Sequence, residues 1–174
     1  MQKAIMAIYW TIQVMEKWKD VQNVGYLSGS AEYIWEEFVE PYEWMMMQMK
    51  NRLPNYAGEY PIWLWTERPD LRRSGHLAKG EQGVLLKVEL DERDVLLSEF
   101  QAWHIVFYNA YLDLDVNEDD HDYSLDEIHK SWELIFEIEM LKRSEGWGGT
   151  LHLQGVTGKV MANQMKLVKT FIAR

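Results

Sequence analysis

Most of the side chains that could do chemistry in this 174-residue chain are rings and cations rather than carboxylate pairs or thiols. There is no cysteine, so disulfides, thiolate metal sites and cysteine nucleophiles are excluded. The five histidines (His76, His104, His121, His129 and His152) form no pair at H-x-x-x-H spacing and no H-E-x-x-H motif, so local spacing gives no zinc site. There is also no nucleophile elbow and no P-loop, which leaves serine-hydrolase and P-loop nucleotide chemistry unsupported. Three features could still carry chemistry. His104, beside Trp103, Tyr108 and Asn109, could exchange protons; the alternative is a half-buried imidazole bonded to a backbone carbonyl. Trp63 and Trp65 alternate with Ile62 and Leu64, so both indoles face one side of a strand, where they could stack on a ring-shaped ligand or be covered as core. The stretch ERPDLRRSGHLAKG gathers Arg68, Arg72, Arg73, His76 and Lys79 in an otherwise acidic protein. It could hold a phosphate or carboxylate, or it could pair with the surplus Asp and Glu.

The most charged stretch is LDLDVNEDDHDYSLDEI, residues 112–128. Read as a calcium loop from Asp115, it places Asp115, Asn117 and Asp119 as oxygen ligands. Position 6 is then Asp120 where glycine is needed, and position 12 is Asp126, one carbon short for bidentate reach. Ser124 and Glu127, by contrast, make a capping box. The expectation is therefore a solvated connector ending at a helix start, with calcium binding over residues 113–126 as a remote alternative.

Net charge is −10, which argues against phosphate backbones and anionic membrane surfaces as partners. No apolar run approaches the roughly 20 residues needed to span a bilayer. The start, MQKAIMAIYWTIQ, lacks a small-residue cleavage site and reads as a strand. A cytoplasmic location is expected.

The elements that must position these residues follow from periodicity. Residues 4–13 read as a buried strand. Residues 14–25 read as a helix stopped by Gly25. Residues 30–52 carry a helical apolar stripe interrupted by Pro41, which predicts two helices or a kink near Glu40, and the run 44–47 implies burial on several sides. Strands are expected at 61–66, 84–90 and from residue 95, with an irregular connection over 67–83. Ser98 and Gln101 suggest a second capping box, opening a helix that runs to about Leu112. A further helix is expected to about Arg143, then a strand over 150–156, a short helix or turn, and a closing strand. One α+β domain results, with a mixed, mostly antiparallel sheet of five to six strands and four to five helices.

The words YWTIQ, PYEWMMMQMKNRLP, YPIWLW, PDLR, VLLSEFQAWHIVFYNAYL, SWELIFE and the closing QGV…FIAR, in that order, resemble a bacterial family described only as a domain of unknown function (number 3841). The resemblance spans almost the whole chain and implies no activity or cofactor. Its motif positions include Thr11, Gln13, Arg52, Trp63, Trp65, Arg72, His104, Asn109 and Gln154. The order of elements is also similar to the ADP-ribosyltransferase-like fold, in which Gln154 would stand where a late strand usually carries Glu; an amide cannot replace that carboxylate as a base. Together these imply a cleft in which His104 and Gln154 are the candidate catalytic groups. Thr11, Gln13, Arg52, Trp63, Trp65, Arg72 and Asn109 would hold an anionic or nucleotide-like small molecule. The rival expectation is a non-enzymatic interaction module in which an aromatic and methionine-rich surface meets a protein partner or a second copy.

Overall fold

The computed structural model describes residues 3–115, 121–147 and 149–174. Alternating apolar residues build β1 (Met6–Val14), which passes straight into α1 (Met15–Val24). Gly25, at φ 90°, ends that helix by returning its N–H to the Val21 carbonyl. The later strands are β2 (Tyr26–Leu27), β3 (Ile62–Trp65), β4 (Gln82–Asp91), β5 (Leu96–Glu99), β6 (Leu153–Thr157), β7 (Val160–Met161) and β8 (Met165–Ile172). Six of them form one sheet in the order β5-β6-β3-β1-β4-β8, and β2 pairs with β7 in a small second sheet. Every described pairing is antiparallel, and the class is α+β.

The two faces of the large sheet bury different things, because successive side chains point to opposite sides. One face carries Tyr9, Ile62, Leu64, Val84, Leu86 and Val88 against Val21 of α1 and against Leu27 and Val160 of the small sheet. The opposite face carries Leu96, Val156 and Trp63. These pack under α2 (Val39–Arg52), α3 (Phe100–Phe107), α4 (Leu125–Trp132) and α5 (Ile138–Arg143). Over the β1–β4 half of that second face lies the irregular 67–81 segment. A Cβ on Gly83 would meet Leu77 of this segment at 2.7 Å, which shows how closely it is laid on the strands.

Several helix boundaries differ from expectation for identifiable reasons. Pro41 does not kink a long helix. It sits at the third position of α2, where the backbone N–H has no intrahelical partner to lose, and residues 31–38 form two short 3-10 turns instead. Met47, in the apolar 44–47 run, is half-exposed. Ser98 does not cap α3: it lies within β5, and the Glu99 carboxylate accepts from Ala102 N–H as the true cap. The helix stops at Phe107 rather than Leu112. Asn109 takes φ 57°, and Ala110 and Asn109 return their N–H groups to Ile105 and Val106 in a Schellman arrangement. The stretch expected as one helix to Arg143 is α4, a 3-10 turn over Glu133–Phe136, and α5.

The capping box at Ser124 forms as expected: Glu127 N–H donates to Ser124 Oγ, and Glu127 Oε2 accepts from Ser124 N–H. The acidic connector enters from a pinned segment. The Trp132 and Trp147 indoles donate to the carbonyls of Ala110 and Asp113, and Ser131 Oγ accepts from Leu112 N–H. Asn117, Asp119 and Asp120 of the calcium reading lie outside the described residues. Among the described residues no group of three acidic or histidine side chains could hold a metal ion, and no helix is long and apolar enough to cross a membrane.

Gly155 in β6 faces Val95 so closely that a Cβ there would lie 2.5 Å from its Cγ1. Gly155→Ala is expected to destabilise the fold by about 1–3 kcal/mol through overpacking, read as a lower urea midpoint with an unchanged denaturant slope.

Candidate functional site

The second face of the sheet is not fully covered. Between the helices and the 67–81 segment it leaves a cleft of about 310 Å³. Its floor is Ile12, Trp63, Trp65 and Gln154; its walls are Tyr42 of α2, the Phe100, Trp103, His104 and Phe107 side chains of α3, and Gly75 and His76 from the segment. The floor follows from register. Trp10 stands opposite Trp65, and Trp65 opposite Gln154, so all three share one face. Phe100, Trp103, His104 and Phe107 fall at steps of three, one and three, one stripe of a helix aimed at that floor.

The rings form two groups along the cleft. Trp63 and Trp103 lie tilted with centroids 4.9 Å apart, and Tyr42 meets both edge-on at 6.1 and 6.0 Å. Trp65 packs on Phe100 at 5.2 Å, and Phe100 on His104 at 4.6 Å. Among the described residues the buried Trp63 indole N–H has no hydrogen-bond partner of good geometry. Burial pushes the Tyr42 hydroxyl above the ordinary tyrosine range, and the Trp63 side chain works weakly in the other direction.

His104 Nδ1 lies 2.8 Å from the Phe100 carbonyl. A carbonyl only accepts, so Nδ1 carries the proton and a neutral ring presents Nε2 as an acceptor. His76 Nε2 likewise donates to the Asp70 carbonyl at 2.9 Å. Gln154, 5% exposed, donates from Nε2 to Ser98 Oγ at 3.3 Å. Among the described residues no carboxylate lines the cleft.

Of the residues predicted to converge, four do: Trp63, Trp65, His104 and Gln154. Thr11 stands behind the floor. Its buried hydroxyl donates to the Trp63 carbonyl at 2.9 Å and accepts from Gln13 Nε2 at 3.0 Å, so both act on the strand that carries the indoles. Gln13 itself lines a different hollow of about 690 Å³, with Glu16, Lys17, Lys19 and Glu81, where charges of both signs replace the rings. Arg52 is elsewhere: it donates to Gln48 Oε1 and lies 4.4 Å over the Phe136 ring at the end of α2. Asn109 terminates α3 and faces solvent. Arg72, with its side chain 81% exposed, is engaged by Asp70, whose carboxylate accepts from its backbone N–H, Nε and Nη2 and is held well below the usual carboxylate range. With Thr11 and Gln13, these three make five residues that were expected at the cleft and do not line it. Tyr42, Phe100, Trp103 and Phe107 line it without having been expected as ligand contacts, and His76 of the basic stretch lines it as well. The three-and-four spacing along α3 was the available signal for part of that set.

The fold and the cleft define an α+β domain with a ring-walled hollow on one sheet face. The profile of the family described as Domain of unknown function (DUF3841) matches residues 8–126, and the chain belongs to that family. The match covers every lining residue of the cleft except Gln154. No curated protein and no solved structure matches the chain.

Two outcomes follow from the site's construction. Glu99 is buried, and its two oxygens accept from Ala102 and His152 N–H. Glu99→Ala leaves these donors without the carboxylate and is expected to cost roughly 1–3 kcal/mol, measured by urea unfolding. Tyr9, Tyr42 and Tyr56 all have raised pKa values, Tyr56 to about 12. A phenol whose folded pKa exceeds its unfolded value of 10.0 favours folding below pH 10, and that contribution is lost as pH rises through the folded value. Urea midpoints are expected to be flat in this respect up to about pH 10 and to fall between pH 10 and about 12, with a smaller fall in Tyr56→Phe.

Proposed function

We propose that the protein is a small-molecule-binding domain whose cleft takes the planar ring of a nucleotide-like ligand against the exposed edge of the ring cluster that Trp65 forms with the α3 side chains. The observation that carries this is the composition of one hollow: among the described residues, six aromatic rings, two imidazoles and one amide, with no carboxylate. Its volume of about 310 Å³ is near the lower end of small-molecule sites, enough for a ring system and little more. Stacking on indoles supplies affinity without selecting one ring strongly. His104 Nε2 and the Gln154 amide supply hydrogen-bonding groups that orient the ring, and His104 is the one group on α3 able to exchange a proton there.

A second proposal, a protein-interaction module, has its own supporting observation. Trp35 is 70% and Tyr108 69% exposed, and both pack on Phe38, which stacks on Phe107 at 3.8 Å. A shallow hollow of about 210 Å³ lies among Ile34, Trp35, Phe38, Tyr42 and Phe107. Light scattering separates the two in part, since association of a second copy through these rings predicts a dimer that Trp35→Ser disperses.

A thermal-shift and tryptophan-fluorescence screen with nucleosides, nucleotides, NAD and sugar phosphates tests the first proposal. Compounds with a planar ring are expected to raise the melting temperature and quench fluorescence, and Trp65→Ala to weaken their binding about tenfold, the scale of one lost stacking contact. Failure of every ring compound to shift either signal contradicts it.

A further inference from the structure

The sheet register sets a line of side chains that runs out of the cleft. Ser98, Gln154, Trp65, Trp10, Lys87 and Lys166 are successive cross-strand partners from β5 to β8, so they share the cleft's face. Chemistry changes along this line, from a hydroxyl and an amide, through two indoles, to two ammonium groups. Arg68 joins it from the 67–81 segment: its guanidinium carbon lies 5.5 Å from the centre of the Trp10 ring, and Lys87 Nζ lies 6.0 Å from the same centre. Strands are spaced by roughly 4.8 Å, so Lys87 stands two strands, roughly 10 Å, beyond Trp65. That is about the reach from the base to the phosphate of a mononucleotide.

Among the described residues neither Arg68 nor Lys87 has an ion-pair partner, although the chain carries a net charge of −10. Arg72 shows the contrast, since its fork is already occupied by Asp70. A ring face holds a cation in place without neutralising it, which leaves the charge available to an incoming anion. Glu89, two residues along β4 and opposite Ile8, bounds the cationic region on one side.

We infer that Arg68 and Lys87 over Trp10 form an anion subsite, and that the ligand of the cleft is a ring compound carrying a phosphate group at its far end. The inference rests on the ring-binding proposal above. Arg68 supplies the planar fork that matches phosphate oxygens, and Lys87 a point charge beside it.

The test compares AMP, GMP, CMP, UMP and nicotinamide mononucleotide with their unphosphorylated ribosides, by calorimetry on the full chain and on an Arg68→Gln/Lys87→Gln double variant. Arg68 is exposed and Lys87 half-buried on the sheet surface, and circular dichroism with the urea midpoint checks that the variant folds. In the wild type the phosphorylated member of a binding pair is expected to bind about tenfold more tightly, the scale of one charge-assisted contact, and the gap is expected to narrow as salt is raised. The double variant is expected to lose most of that gap while its affinity for the riboside stays the same. Equal affinities within every pair, or a gap that survives in the double variant, overturn the subsite and leave the ring proposal standing. If no compound of either kind binds, the ring proposal fails and takes the subsite with it.

Discussion

The period-two alternation of β3 is the constraint on which the rest depends. Ile62 and Leu64 are buried in the core under α1, while Trp63 and Trp65 face the other way, toward α2 and α3. A slip of one residue would exchange these sets, exposing two aliphatic side chains and driving two indoles into the core beneath α1. The register is held from both sides: β1 pairs Trp10 with Trp65, and β6 pairs four residues from Ile62 to Trp65. Thr11 adds a side-chain hydrogen bond to the Trp63 carbonyl from the strand next door. Gly155 lets Val95, just before β5, and Leu97 of β5 close over β6 at the point where β3 passes.

Around that strand the two sheet faces are asymmetric in purpose. The face under α1 and the small sheet is closed by aliphatic residues. The face under the helices is closed at the β5–β6 end by Trp44, Trp132, Ile135 and their neighbours, and left open where α3 and the 67–81 segment meet over β1 and β3. Aromatic residues do two jobs on this face. Trp132 and Trp147 are structural, each with its indole N–H spent on a backbone carbonyl at the mouth of the acidic connector. Trp63, Trp65 and Trp103 line the cleft instead.

What could be read in the sequence is what local physics determines. The first strand and helix, the Gly25 stop, the facing of Trp63 and Trp65, and the Ser124 capping box all follow from residues within one turn or one strand of each other. The boundaries that were missed depend on choices the chain makes between near-equal local options. Ser98 and Glu99 are both able to cap; pairing of Ser98 with Gln154 across β5 and β6 keeps it in the strand, and Glu99 takes the role. Pro41 could break a helix or sit in its first turn, and only the position of the start decides. The cleft was half legible. Its indoles and His104 announce themselves, but its walls come from segments brought together by strand pairings some ninety residues apart in the chain. The cations were the least legible part. Arginines in an irregular loop have no periodicity to mark which is spent on a neighbour, and Asp70 takes Arg72 while Arg68 reaches Trp10.

The central claim is that the hollow over β3 receives a ring, and the indole N–H resonances of the nine tryptophans report on it one residue at a time. In a nitrogen-15 titration with AMP, the signals of Trp63, Trp65 and Trp103 are predicted to move together along one binding curve, while those of Trp18, Trp44, Trp132 and Trp147 stay in place. Shifts confined to Trp35, or no shift among the three cleft indoles at saturating ligand, would contradict it.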